Sequence, residues 1–190
     1  MALSPGSVSP LKAVRPASAR GFGVRRLLLV VAISVGVIAA TPSMASAAYI
    51  TGGWNDNPTL CSSASSCMTS GNVVRMWQNI LATWKGYGTA TRNAFIDGQF
   101  GSNTAAVTED WQEAHGLGSD GWVGPDTWTA AYNELYRNSS LDSSSQVGYT
   151  YCVYYSQGYC SIALDFRRTV SDARWSYRDL ETASWSSTSY

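Results

Sequence analysis

Asp97-Gly98-Gln99-Phe100-Gly101-Ser102-Asn103-Thr104 and Asp120-Gly121-Trp122-Val123-Gly124-Pro125-Asp126-Thr127 are two copies of one phrase, D-G-x-[FV]-G-x-x-T. An Asp-Gly pair suits a tight turn, because the Asp side chain bonds nearby backbone and Gly tolerates positive φ. The second Gly of each copy ends the turn where a helix can begin. In the second copy Pro125 falls at the first helical position, where its missing N–H costs nothing and its fixed φ helps. Each phrase therefore launches a helix, and the pair clamps what lies between.

Working upstream, Val74, Trp77, Leu81 and Trp84 recur at helical spacing, with Val73 and Ile80 widening the stripe. This predicts a first helix from about Gly71 to Lys85, capped by Asn72 or Ser70 and stopped at Gly86-Tyr87-Gly88. A polar loop then leads through Ile96 to the first copy. A second helix is expected from about Ser102 to Ala114, with Val107, Trp111 and Ala114 inward and Glu109, Asp110 and Glu113 outward. A third runs from Pro125 to about Arg137, presenting Trp128, Ala131, Tyr132 and Leu135. Three short helices make a marginal core, so Trp77, Trp111 and Trp128 carry much of it, each able to bury ~150–250 Å².

Outside this bundle the composition shifts twice. Residues 48–70 are rich in Ser, Asn and Gly and read as an irregular lead-in stapled at Cys61 and Cys67; residues 138–147 read as a Ser-rich linker. Residues 148–190 read as a small antiparallel β unit of about four strands. Tyr149–Tyr155 and Tyr159–Thr169 form its hairpin, with Cys152 and Cys160 able to meet across it. In the tail, Arg174–Arg178 alternates like a strand, although Ala173, Tyr177, Leu180 and Ser184 also fit a helical face; its Trp, Tyr, Ser and Thr content favours strands. The fold class is thus α+β, a helical domain at 71–137 followed by a disulfide-linked β module.

Residues 1–47 are read as a targeting segment. Lys12, Arg15, Arg20, Arg25 and Arg26 precede an apolar run from Leu27 to Ala40, and Ala45-Ser46-Ala47 fits a cleavage site, which places the mature start near Ala48. The run is shorter than the ~20 residues a membrane-spanning helix needs, and Arg25-Arg26 hints at twin-Arg export. The remaining chain carries eight Lys and Arg against thirteen Asp and Glu, a net charge of −5. That balance argues against a nucleic-acid partner, which calls for a basic stripe. In an exported chain four cysteines read as two disulfides; of the three connectivities, pairing of neighbours, Cys61 with Cys67 and Cys152 with Cys160, closes the smallest loops. Zinc is the competing reading, which neither spacing supports, His115 being the single histidine.

The search for catalytic motifs returns little. There is no H-E-x-x-H, G-x-S-x-G or P-loop phrase, and bridged cysteines offer no nucleophile. Thirteen acids leave a carboxylate pair open, as a glycosidase would need, but no pair stands out. His115, at the end of the second helix, reads as a capping residue. In the doubled phrase, an inward Val123 turns Trp122 outward, as Phe100 does Gln99. An exposed indole beside polar groups is a platform for a sugar ring; equally, Trp122 could fold over the third helix or the β unit.

These residues resemble the three-helix peptidoglycan-binding domain of bacterial and phage cell-wall enzymes over about 71–135. The family's V-x-x-L-Q-x-x-L appears as Val74–Leu81 with Trp77 for Leu, and its Phe-Gln as Trp111-Gln112. Gly86-Tyr87, Gly116-Leu117 and Thr127-Trp128 take their places around the two turns. Two departures stand out: Val107-Thr108 replaces Ala-Val, and the segment Gly88 to Phe95 is several residues longer than usual. The resemblance implies non-covalent attachment to peptidoglycan, through glycan strands or stem peptides, with no cofactor. The expected ligand-binding residues are Asp97, Asn103, Asp120 and Trp122, then Tyr87 and Gln78. The whole reads as a secreted, non-catalytic wall-binding protein. Its rivals are a wall hydrolase with Asp165, Asp172 or Glu181 as acids, and a secreted factor whose β unit grips another protein.

Overall fold

The computed structural model describes residues 50–63, 66–156 and 159–190; the expected leader at 1–47 and the tip of the expected hairpin at 157–158 lie outside them. Four helices come first: α1 (Asn72–Lys85), α2 (Thr89–Phe95), α3 (Ser102–Ala114) and α4 (Pro125–Asn133). Five strands follow, β1 (Leu135–Arg137), β2 (Gln146–Ser156), β3 (Tyr159–Thr169), β4 (Trp175–Arg178) and β5 (Trp185–Ser187), with a 3₁₀ turn at Ser139–Leu141. The strands form one antiparallel meander in the order β1-β2-β3-β4-β5. The α+β class and the bundle-then-sheet order match the sequence reading, and Cys61–Cys67 and Cys152–Cys160 are the observed disulfides.

The local differences have physical causes. The expected polar loop after α1 contains a helix, α2, because Phe95 and Ile96 are buried at its end and the Phe95 ring packs edge-on against Tyr87 at 5.4 Å. Tertiary anchoring overrides a weak propensity there. The N-cap of α1 is Gly71, not Ser70 or Asn72, and no side chain caps it. Instead Gly71 N–H donates to Gly98 O at 3.0 Å, tying the helix start to the first turn, and the Asn72 amide donates to Ser189 Oγ at 3.1 Å. The last helix stops at Asn133 rather than Arg137, because Leu135–Arg137 pairs with Tyr149–Tyr151 as an edge strand. The tail takes the strand alternative: β4 and β5 pair through Ser176–Ser187 to Arg178–Trp185.

Helices and sheet share one hydrophobic core. On the helical side Trp77 meets Trp111 at 5.2 Å and Trp128 at 5.4 Å, both edge-on; the sheet contributes Tyr151, Leu164, Phe166, Trp175 and Tyr177 from its inner face. Between the two lies Trp54, 1% exposed, whose ring contacts Trp128, Tyr132, Phe166 and Trp175 at 5.3–6.0 Å. The lead-in is therefore part of the core. Four of the core indoles find polar partners: Trp77 donates to Thr108 Oγ1, Trp111 to the Tyr151 hydroxyl, Trp128 to Pro58 O and Trp175 to Gly52 O, whereas Trp54 Nε1 has none among the described residues. Such bonds matter because a buried N–H left unpaired costs about 1–3 kcal/mol.

A second tie is ionic. Asp179, fully buried in the turn between β4 and β5, accepts from Arg75 of α1 at 2.6 Å and 3.3 Å, and Arg75 also pairs with Glu181. Asp179 further accepts from the backbone N–H of Glu181 and Thr182, while Asn79 Oδ1 accepts from Leu180 N–H at 2.8 Å. Burial alone would raise the Asp179 pKa, but the bond from Arg75 and then the backbone donors hold it below the ordinary carboxylate value.

Candidate functional site

The doubled phrase folds as two matching turns, each latched by a buried glutamine that follows a core tryptophan. In the first, Gln78 of α1 donates to Asp97 Oδ1 (2.8 Å), Gln99 O (3.0 Å) and Thr104 Oγ1 (3.1 Å), and accepts from Gly98 N–H (2.7 Å). In the second, Gln112 of α3 donates to Asp120 Oδ1 (2.9 Å), Trp122 O (2.8 Å) and Thr127 Oγ1 (3.0 Å), and accepts from Asp120 N–H (3.1 Å) and Gly121 N–H (2.9 Å). Asp97 and Asp120 each close an Asx turn, accepting from the N–H two residues on at 2.8 and 2.9 Å. Gly98 and Gly121 adopt φ of +74° and +70°, the left-handed region that the turn demands. The structural repeat is thus longer than the phrase: Trp-Gln on one helix, then the turn, then the next helix.

Each turn also leans on the lead-in. Phe100 N–H donates to Thr69 O at 2.7 Å, and Leu60 and Val123 exchange both backbone bonds at 3.2 and 3.0 Å. The Cys61–Cys67 disulfide closes the loop between these two contact points.

Within this frame the six expected ligand residues separate. Val123 is fully buried and Trp122 is 44% exposed, as the alternation implied. Trp122 and Asp120 border an open groove of about 430 Å³ whose other walls include Thr59, Leu117, Pro125 and Asp126. Asp120 is exposed and keeps Oδ2 without a partner among the described residues. Asp97 and Asn103 are exposed but belong to the first turn, and Tyr87 lines a different groove beside α2. Gln78 is fully buried with both amide atoms bonded, and so shapes a turn rather than offering a contact. The sequence reading passed over Asp126, although it occupies in the second copy the position Asn103 holds in the first. Aligning the copies residue by residue was the signal.

The acids named for a hydrolase are otherwise engaged. Asp172 pairs with Arg174 at 3.0 Å, Glu181 with Arg75, and Asp165 accepts from Thr150 at 3.1 Å. His115 stacks on Trp111 with ring centroids 3.8 Å apart, and its Nδ1 lies 2.6 Å from Trp111 O. Among the described residues no group of three His, Cys, Asp or Glu side chains is arranged to hold a metal ion, and no helix is long and apolar enough to cross a membrane.

The second turn thus carries an exposed indole beside an open groove, mounted at the start of α4. Residues 70–131 match the family described as a putative peptidoglycan binding domain. Among curated proteins the chain is similar to the zinc D-Ala-D-Ala carboxypeptidase of Streptomyces albus G, 37% identical over 83 residues. That stretch is 44% of this chain and 29% of the relative, so the chain spans under a third of the relative's length. No solved structure matches.

Proposed function

We propose that this is a secreted, non-catalytic protein that holds bacterial peptidoglycan through the second copy of its doubled turn. The observation that carries the reading is Trp122: its indole stands 44% exposed beside a groove bordered by the carboxylates of Asp120 and Asp126. A sugar ring stacks its apolar face on such an indole while its hydroxyls donate to the carboxylates. The Gln112 latch fixes the turn before ligand arrives, so little ordering entropy is lost on binding. In this reading residues 1–47 are removed on export and 48–70 buttress the turns. Residues 71–137 bind, 138–147 connect, and 148–190 brace the helices from behind. A single open groove of this kind binds weakly, and the repetitive wall compensates through many neighbouring sites.

Co-sedimentation with insoluble peptidoglycan tests the binding. The purified protein should pellet with the wall, Trp122→Ala should pellet several-fold less at unchanged melting temperature, and no soluble wall fragments should appear. Appearance of new reducing ends or free peptides in the supernatant would replace the non-catalytic reading with that of a hydrolase.

A further inference from the structure

The core uses one face of the sheet and leaves the other open. Tyr151, Leu164, Phe166, Trp175 and Tyr177 are buried on the inner face, so the alternation along each strand turns Asp165, Arg167, Ser176 and Arg178 to the outer one. The pairing register sets four outer residues in one row across the strands. Thr150 of β2 lies opposite Asp165 of β3, and Arg178 of β4 lies opposite Trp185 of β5. The register that pairs Phe166 with Tyr177 carries on to Asp165 opposite Arg178 and so joins the two halves of the row. Beside the row is an open hollow of about 230 Å³, bordered by Ala163, Asp165, Arg178, Leu180 and Ala183.

Asp165 and Arg178 set this face apart. Opposite charges directly across a strand pair attract, yet among the described residues no ion pair joins these two, and each is held by a partner of its own. Thr150 Oγ1 donates to Asp165 Oδ1 at 3.1 Å and itself accepts from the Asn138 amide at 2.9 Å. Arg178 Nε donates to Ala183 O at 3.4 Å, and Ala183 adopts φ of +55°, uncommon for a residue with a Cβ. Asp165 Oδ2 and the terminal nitrogens of Arg178 are left without a partner among the described residues. At the end of the row Trp185 is 36% exposed. The Arg167 guanidinium lies 4.1 Å from its ring centroid, and Arg167 Nε donates to Leu141 O at 3.0 Å, so the indole is braced by a cation that is itself held in place.

We propose that the outer face of the sheet is a second binding site, one that takes a neutral glycan of β-linked glucose type. A ring whose hydroxyls are all equatorial offers a flat C–H face to the Trp185 indole and carries its hydroxyls at the rim. Asp165 Oδ2 accepts from one rim hydroxyl and Arg178 donates to its neighbour, because each hydroxyl can serve as donor or acceptor. An adjacent hydroxyl pair thus bridges the two charges that the fold holds apart. The unpaired acid and base at the hollow balance one another, and a charged ligand would be repelled by one of them. Peptidoglycan strands carry acetamido and lactyl ether groups where such a hydroxyl pair would lie along the chain. The ligand is therefore a different polymer from the one proposed for Trp122, and the inference does not rest on that reading. With both sites the protein would join peptidoglycan to a second polysaccharide.

The test is an NMR titration of the purified protein with cellohexaose and, separately, with chitohexaose in its fully N-acetylated form, which lacks the adjacent hydroxyl pair on all but its terminal ring. Cellohexaose should give saturable shifts at Ala163, Asp165, Arg178 and Ala183 and at the Trp185 indole N–H, and chitohexaose should bind this face several-fold more weakly. Asp165→Asn, which keeps an oxygen for Thr150, and Arg178→Met, which gives up only the long bond to Ala183, should each weaken cellohexaose about tenfold, the loss of one charge-assisted bond. Trp185→Ala should weaken it at least as much. Trp122→Ala should titrate with cellohexaose as the parent does while losing wall pelleting, so the two sites fail independently. Absence of saturable shifts at this face, equal affinity there for the two hexasaccharides, or an unchanged titration in Asp165→Asn and Arg178→Met would overturn the proposal.

Discussion

Replacing Gln112 by Leu removes one side chain of nearly the same size and leaves the second turn without its latch. Five bonds of 2.8–3.1 Å are lost at once. Asp120 is exposed and recovers water, so its share of the cost is small. Gly121 N–H is enclosed and is left unpaired, at about 1–3 kcal/mol, while Thr127 Oγ1 and Trp122 O lose their best partner and keep only the long 3.4 Å bond between them. A total near ~3 kcal/mol follows, a sizeable part of the ~5–15 kcal/mol by which domains are stable. At ~2–4 °C per kcal/mol for a chain of this size, the melting temperature should fall by roughly 6–12 °C. Gln78→Leu removes the matching latch of the first turn and should cost about as much. The two variants should differ in binding: Gln112→Leu loosens the turn that carries Trp122 and should reduce wall pelleting well beyond any unfolded fraction, while Gln78→Leu should pellet as the folded parent does. Thermal melts and co-sedimentation below both melting temperatures check this. A Gln112→Leu protein that melts within 1–2 °C of the parent, or that pellets equally well, would refute the latch.

Three further outcomes are expected. Asp179→Asn should destabilise the protein at neutral pH by about 3 kcal/mol, the low end of what breaking a buried pair costs. Because the folded pKa of Asp179 is depressed, its stabilisation is present above the ordinary carboxylate value and is lost as pH falls through the depressed one. The parent should therefore lose melting temperature below about pH 4, and the Asn variant should lose less over that range. Replacing Cys61 and Cys67 together by Ala removes a small closed loop worth about 2 kcal/mol on the entropy model. It should also weaken wall pelleting, since this loop directly follows Leu60, which pairs with Val123 of the second turn. Asp126→Asn and Asp120→Asn should each weaken pelleting without affecting the melt, whereas Asn103→Ala in the first copy should leave it unchanged.

The doubled phrase could be read from the chain because its turn chemistry is local: Asp-Gly needs a left-handed glycine, and an inward Val123 turns Trp122 out. Periodicity likewise announced α1 and α3, whose buried faces recur at i and i+4. Trp54 was not legible, since it sits in an aperiodic Gly- and Asn-rich stretch and is buried only by residues as distant as Phe166 and Trp175. The same holds for α2, which owes its helix to Phe95 and Ile96 finding a site in the core. Gln78 and Gln112 were visible as part of a resemblance, but polar residues on a helix read as surface until the turns they clasp are in place.

The central claim is that the second turn, through Trp122, holds peptidoglycan. The most direct test is side-by-side co-sedimentation of the parent, Trp122→Ala and Gln99→Ala, the matching outward residue of the first turn, with purified insoluble peptidoglycan. The account predicts that the parent and Gln99→Ala pellet alike and that Trp122→Ala remains largely in solution. Pelleting of all three to the same extent, or of none above a wall-free control, would contradict it.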